Sequence, residues 1–488
     1  MAEQEGITVK KENFSEWFSQ VVQKANLADI RFGVQGFVVY PTWGFKIIRR
    51  IYEYLEEELE KDGHEPFWFP TIVKKSDLEK EKEHANFTPE VFWVTKAGDK
   101  NLDEEFALKP TGEAQIYPIY SLWIRSHQDL PFKAYQDRMF VYRNDKQTRP
   151  FLRGREFPFF ESHDVFATHE EGLKQVKKDF EISTKVLYDK LKIPFVLFKR
   201  PQWDKFKGAV DTYTPDTVMP DGKRNQLAST HDLGQKFAKA YDIQFLDKNG
   251  KKQYVWQTCY GPGIIRIAAA IFGIHGDDHG LILPFDIAPL QIVIIPVLFS
   301  KKKTENDKVL KKCLDIKDKI EKLGYKVKVD DSDNNPGWKY HNWELHGVPL
   351  RLEIGPREVK AGKVTLVERT ERKKFEIKIK DLDKEIKKHA KSLDNEIKKK
   401  ADDYFKNNTR VANSLKELKE MLKKHKGFVK IPFCSDDFDG EKCADKLKDE
   451  TDGGNVCGVK AERPEKASGK CIMCGKKAKC IVYVAKSY

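Results

Sequence analysis

The segment YRNDKQTRPFLRGREFPFFESH, Tyr142 to His163, begins and ends in strand-like sequence and carries four arginines, two prolines and a glycine between apolar flanks. A β-hairpin is the local structure that satisfies this pattern. Charge of one sign concentrated on a hairpin needs a partner. Guanidinium forks bind phosphate bidentately, and a hairpin holds them rigidly enough to fix a polyphosphate against a second reactant. An ordinary surface hairpin is the alternative until other residues speak.

The chain is long enough for that hairpin to sit in a large fold. Its 488 residues, 40% of them hydrophobic, supply roughly two to four domains with cores of their own. A formal net charge of +13 favours a polyanionic partner such as nucleic acid. The N-terminal stretch MAEQEGITVKKENFSEW lacks an apolar core, which argues against a secretory signal. The apolar run LQIVIIPVLF, Leu290 to Phe299, is too short to span a bilayer and reads as a buried strand. A soluble, cytoplasmic protein without membrane contact is expected.

Six of the eight cysteines crowd the end of the chain: Cys434, Cys443, Cys457, Cys471, Cys474 and Cys480. In a large chain without a secretory signal, such clustering points to metal before disulfides. Cys471 and Cys474 have the two-residue spacing that turns two thiolates toward one tetrahedral ion, and Cys434 and Cys443 can supply the other pair. The readings are therefore a structural zinc or a set of buried free thiols.

Along the chain, residues 43–63 show helical apolar spacing and EPFWFPTIV reads as a short strand. A Pro-Thr-Gly-Glu turn opens the helical pattern AQIYPIYSLWIRSH, and the hairpin follows. An amphipathic helix, EEGLKQVKKDFEISTKVLYDKLKI, precedes short strands from Pro194 to Tyr260. GPGIIRIAAAIFGIHGDD reads as a glycine-rich strand end entering a helix. After Pro289 strands and helices alternate, as in an α/β unit with a mixed sheet. The lysine-rich stretch from Asp381 to Asn407 reads as a solvated helix rather than a binding element.

Three further motifs decide what the hairpin is for. PTGE, Pro110 to Glu113, places an acid and a hydroxyl at a tight turn; QLASTHDLGQ, Gln226 to Gln235, offers a histidine among small polar residues on a strand. GPGIIR, Gly261 to Arg266, sets an arginine at a helix start behind glycines that permit close ligand approach. In this order the motifs resemble the class II aminoacyl-tRNA synthetases, and closely the prolyl-tRNA synthetases of archaeal and eukaryotic type. EPFWFPTIV with its preceding helix is similar to the first, dimer-forming motif. YRND through REFPFFESH is similar to the second and GPGIIR to the third. RPFLRGREF, LGQKF, PGWKYHNWELHGVPLRLEIGPRE and the final KSY extend the likeness over nearly the whole chain.

The resemblance implies an α+β class II catalytic domain, an antiparallel sheet flanked by helices, over 1–286. An α/β anticodon-binding domain over 287–392 follows, then a connecting helix and small α/β zinc-type domain over 393–488. It implies attack of the carboxylate of L-proline on the α-phosphorus of ATP, then transfer of the prolyl group to tRNA(Pro) by a homodimer. Arg143 and Arg266 match the catalytic arginines. Arg143, Asp145, Arg153, Gln226, Ser229 and Arg266 match ATP-binding positions, with Mg2+ bridging the phosphates. Thr111, Glu113, Arg143, Phe159, Glu161, His163, Phe206 and His231 match the proline site. Arg351, Glu353, Arg357 and Glu358 match the anticodon region, and Cys434, Cys443, Cys471 and Cys474 the zinc ligands. Tyr488 matches a tyrosine that tucks toward the active site.

The chain departs from the pattern at Asp145, where a longer glutamate is usual, at Phe159, where Trp is expected, and at Gly154, where Thr is common. Only about ninety residues separate His163 from Trp256, too few for catalytic structure plus an editing domain. Alanine rejection in cis is therefore not expected. Two alternatives remain: a class IIa synthetase for another amino acid, or a non-catalytic tRNA-binding paralogue. A threonyl enzyme is disfavoured because no Cys/His ligand trio is evident near the motifs, and the three arginines argue against loss of catalysis.

Overall fold

The computed structural model describes residues 6–85, 90–299, 303–424 and 426–488. The first five residues of the stretch read for a leader lie outside them. A 12-stranded sheet forms the backbone of the molecule. Its N-terminal part runs in the order Glu65–Pro66, Phe132–Tyr142, Glu156–Phe166, Trp256–Pro262, Ala228–Gly234, Asp211–Val218 and Val196–Lys199. All pairings in this part are antiparallel except the first.

Helix Thr42–Lys61 buries Ile47, Ile48, Ile51, Tyr52, Leu55 and Leu59, the stripe that its period predicts. Together with Ile264–Ala270 it closes one face of the sheet around Trp17, Phe18, Phe160 and Tyr260. EPFWFPTIV is not one strand. Only Glu65–Pro66 and Ile72–Lys74 are extended and paired, because Pro66 and Pro70 lack the N–H a continuous ladder requires. The amphipathic helix predicted after the hairpin is α-helical over His169–Ser183 and widens to π-helix over Thr184–Lys190.

The second unit is a five-stranded mixed sheet, ordered Val327–Val329, Ile292–Pro296, Leu350–Ile354, Lys363–Glu368, Lys374–Lys378, with Lys303–Lys322 packed on it. It docks on the first through Trp43 Nε1, which donates to His346 O at 3.1 Å, and through the Arg369–Asp277 ion pair at 2.6 Å. Helix Leu382–Asn407 is not fully solvated as expected. Its Leu382, Ile386, His389, Leu393, Ile397 and Ala401 form a buried stripe, and Asp394 Oδ1 accepts from Phe285 N at 2.8 Å.

The C-terminal strands extend this first sheet rather than form a sheet apart. Asn455–Lys460 pairs antiparallel with Val196–Lys199, and Cys480–Ala485, Phe428–Phe433 and Thr409–Val411 follow outward.

Candidate active site

The hairpin strands converge on a thirteen-residue connection, 143–155, that turns back into the protein. Phe151 and Leu152 are buried at its tip, with Phe151 edge-on to Phe272 at 5.1 Å and to Tyr40 at 5.4 Å. Arg149 and Arg153 exchange backbone hydrogen bonds of 2.7 and 2.9 Å, so the tip is a rigid turn. Arg143 N donates to Arg155 O at 2.8 Å and closes its base. Arg143 and Arg153 are thereby aimed into a cavity, which Arg266 enters from the first turn of Ile264–Ala270.

That cavity is lined by Thr111, Glu113, Arg143, Asp145, Arg153, Phe159, Glu161, Phe206, Gln226, Ser229, His231 and Arg266. Every catalytic, proline-site and ATP-site residue expected from the sequence is among them except His163. His163 stands directly behind, its Nε2 3.0 Å from Glu161 Oε2 and its Nδ1 2.8 Å from the Tyr117 hydroxyl.

The cavity has two chemically distinct ends. At one, Thr111 Oγ1 donates to Glu113 Oε2 at 2.5 Å and Gln136 Nε2 to Glu161 Oε1 at 2.6 Å. Phe206 packs on His231 at 5.0 Å, and His231 Nδ1 is 2.9 Å from Thr212 Oγ1. Burial pushes Glu113 above the ordinary carboxyl range and His231 down to about 3, the latter helped by His163. Burial would also lower His163, but Cys259 and Glu161 beside it lift it well above its usual value. This end is a small box with carboxylate acceptors and an aromatic wall.

At the other end the charge is positive. Burial, and then the neighbouring Arg143, Arg153 and Arg224, bring Arg266 down to about 10, so it remains a cation at neutral pH. Like charges held this close favour an anion between them. Asn225 Nδ2 donates to Arg266 O at 2.9 Å and steadies the helix start. Arg153 Nη2 donates to Tyr488 O at 2.7 Å, and the Tyr488 hydroxyl to Asp221 Oδ1 at 2.8 Å. The final tyrosine thus contacts Arg153, a residue of the cavity lining.

Several residues escaped the sequence reading. Phe157 lines the cavity 5.9 Å beneath the Arg143 guanidinium, and Gln136 and Tyr117 orient Glu161 and His163. Phe157 was legible in the alternation of the second hairpin strand; Gln136 and Tyr117 become neighbours only through sheet register and helix packing. Cys259 also lines the cavity, its Sγ 4.0 Å from His163 Nε2. With Glu113 these two make a mixed Glu, His and Cys cluster, so a potential metal-ligating trio does lie near the motifs, contrary to expectation.

The four residues expected to read an anticodon are unequal. Arg351 is buried over the Tyr340 ring at 4.2 Å and paired with Glu344 at 2.8 Å and Glu353 at 3.1 Å, turned away from the surface groove. Glu353 and Glu358 border that groove but are engaged, Glu353 with Lys374 at 2.9 Å and Glu358 Oε2 with Gly355 N at 2.9 Å. Arg357 alone of the four is exposed there.

In the tail, one Sγ each from Cys434, Cys443, Cys471 and Cys474 lie within 4.8 Å of one another, and all four are free thiols. The Lys476 amide hydrogen-bonds Cys474 and holds that thiol below its ordinary range. Four convergent sulfurs with an amide donor behind them fit a tetrahedral zinc.

Residues 92–275 match the tRNA synthetase class II core domain (G, H, P, S and T), residues 291–389 an anticodon binding domain, and residues 415–488 the C-terminal domain of prolyl-tRNA synthetase. The proline-tRNA ligase of Thermofilum pendens is 52% identical over the full length of both chains, and that of Pyrococcus abyssi 38% identical over 98% of each. The Giardia lamblia prolyl-tRNA synthetase in complex with prolyl-adenylate superposes with a TM-score of 0.94 at 34% identity, covering 99% of this chain and 100% of that one. The Cryptosporidium parvum enzyme complexed with halofuginone and AMPPNP gives a TM-score of 0.91 at 32% identity, covering 100% and 99%. A cavity with a cationic trough at one end and an acid-lined aromatic box at the other, in a chain this similar along its whole length, belongs to the proline-tRNA ligase family of class II aminoacyl-tRNA synthetases.

Proposed function

We propose that the two ends of this cavity hold proline and MgATP in line for adenylate formation, with the residues above in assigned roles. The secondary ammonium of proline has two N–H donors; Thr111, Glu113 and Glu161 provide acceptors for them. The apolar ring rests between Phe159, Phe206 and His231, and the neutral His231 adds no second positive charge beside the ammonium. Arg143, between the two ends, contacts the proline carboxylate and the α-phosphate.

Arg153 and Arg266 take the outer phosphates, and Asp145, Gln226 and Ser229 the nucleoside. The carboxylate oxygen attacks the α-phosphorus, and pyrophosphate leaves toward Arg153 and Arg266. No proton transfer is required in this step. The protein contributes alignment and fixed positive charge where negative charge gathers. The tRNA 3′ hydroxyl then attacks the prolyl carbonyl and AMP departs.

The observation that carries this reading is the convergence of Arg143, Arg153 and Arg266 beside a small acid-lined box. Proline-dependent exchange of pyrophosphate into ATP tests it. Arg143→Ala is expected to cut exchange by roughly 100-fold to 1,000-fold. Exchange driven by another amino acid, or intact exchange in that variant, would refute it. A non-catalytic paralogue would give no exchange at all.

The same reading assigns Arg357 and the groove of the five-stranded unit to the anticodon of tRNA(Pro), with the buried Arg351 positioning Glu353. It assigns the tetracysteine cluster a structural Zn2+. Exposed Ile30, Phe32, Val34, Phe45 and Trp68 supply apolar surface for a homodimer. No helix among the described residues is long and apolar enough to cross a membrane.

A further inference from the structure

Three elements meet at the floor of the acid-lined box. Glu113 comes from the first turn of Glu113–Trp123, His163 from strand Glu156–Phe166, and Cys259 from strand Trp256–Pro262. His163 and Cys259 face each other across the antiparallel ladder. A carboxylate oxygen, a ring nitrogen and Sγ of these residues lie within 4.8 Å of one another, and each residue is 5% exposed or less.

Oxygen, nitrogen and sulfur in one small cluster are the donor set of a thiophilic divalent cation, zinc above all. Two further features make the cluster more than a coincidence of packing. The buried Tyr117 hydroxyl, 2.8 Å from His163 Nδ1, can hold the proton of that nitrogen and leave Nε2 for a metal. Glu161 Oε2, 3.0 Å from Nε2, stands ready as a fourth ligand. Glu113, Glu161 and Cys259 all border the cavity, which gives an ion its path inward. Adenylate formation as set out above uses no thiol, so Cys259 has no role in it.

We propose that the amino-acid end of the cavity is also a Zn2+ site formed by Glu113, His163 and Cys259, and that Zn2+ and proline exclude one another. On binding, the Cys259 S–H proton passes to solvent as the zinc–sulfur bond forms, and His163 releases any proton on Nε2 likewise. A dication and the prolyl ammonium compete for the same carboxylates. The exclusion rests on the assignment of this box to proline; the metal site rests on the cluster alone.

Zinc binding to the full chain, measured at buffered free Zn2+ by equilibrium dialysis and metal analysis, tests both. Cys259→Ser, or Cys259→Ala where serine disturbs the sheet, is expected to bind one zinc fewer per chain than the parent. Cys474→Ser, which removes a tail ligand, should retain the cavity ion. In that variant the Co2+ thiolate charge-transfer band should weaken on adding Cys259→Ser by the share of one thiolate, the three remaining tail thiols giving the same contribution in both proteins. Saturating proline should displace one zinc.

In pyrophosphate exchange the apparent KM for proline should rise in proportion to free Zn2+ with kcat unchanged. With inhibition scored against each protein's own zinc-free rate, Cys259→Ser should raise the half-inhibiting Zn2+ concentration at least tenfold over the parent's. Equal zinc content in parent and Cys259 variants would overturn the site, whatever the amino acid activated. A cavity zinc that proline fails to displace would overturn the exclusion and leave the site standing.

Discussion

Gly112 shows how closely the acid-lined box is fitted. A Cβ there would lie 2.0 Å from Glu161 Oε1, so alanine must push the carboxylate out of the position that Gln136 and His163 hold. Gly112→Ala is therefore expected to lower kcat/KM for proline by roughly 100-fold, as a misplacement of reactants by about 1 Å does, while KM for ATP moves little. Steady-state exchange with each substrate varied separates the two. His231 makes a second residue-scale prediction. Its folded pKa is about 3, against an ordinary 6.5, so between those values the unfolded chain holds one more proton than the folded one. Its stabilising contribution is complete above about 6.5 and is lost as pH falls toward 3. His163, shifted upward, runs the other way: its contribution is present below 6.5 and fades as pH rises through its folded value. NMR titration should find the His231 ring neutral from pH 8 down to 5, and an imidazolium at 231 in that window would contradict the packing described.

At the scale of an element, the hairpin connection is a lever held at its tip. Phe151 is wholly buried with a backbone φ of 66°, a conformation tolerated because its ring is clamped between Tyr40 and Phe272. Replacing it with alanine removes about 3–5 kcal/mol of packing by analogy with other buried Phe→Ala changes. The turn that aims Arg153 then loosens. Phe151→Ala should raise KM for ATP by more than tenfold with a smaller change for proline, measured in the same exchange assay. The arginines of this connection stood out in the sequence as a charge anomaly. The burial of Phe151 did not, because an aromatic between Pro150 and Arg153 reads equally well as a loop residue in solvent. Helix Leu382–Asn407 taught the converse: its lysines suggested solvent on all sides, but the leucine, isoleucine and alanine stripe beneath them is a packed face.

For the molecule as a whole, continuity of the sheet matters most. The pairing of Asn455–Lys460 with Val196–Lys199 joins the C-terminal strands to the catalytic core, and Arg200 Nη1 donates to Cys457 O at 2.8 Å beside it. Through this join the tail carries Tyr488 to Arg153. Disorder in the tetracysteine loops should therefore be felt in the cationic trough. On the proposed assignment of Zn2+ to this cluster, treating the protein with a chelator, or substituting Cys474→Ser, is expected to lower the first thermal unfolding transition by several degrees and to raise KM for ATP. Calorimetry with and without restored Zn2+ checks the first effect and exchange kinetics the second; a chelated protein with unchanged transition and KM would refute the coupling.

The order of motifs, the helical and strand periods, and the clustering of cysteines were properties of the chain itself, since each depends on neighbours a few residues apart. They marked out the arginine-rich hairpin and the tail cysteines; the class of fold, the arginines of the trough and the residues of the box came from the resemblance of those motifs to the class II synthetases. What no local pattern contains is register. That His163 lies opposite Cys259, that Glu161 is held by Gln136 across the hairpin, and that the tail strands extend the first sheet follow from pairings between separate segments. A shift of one residue in any of those ladders would turn every side chain to the opposite face, so only the assembled sheet decides which groups meet.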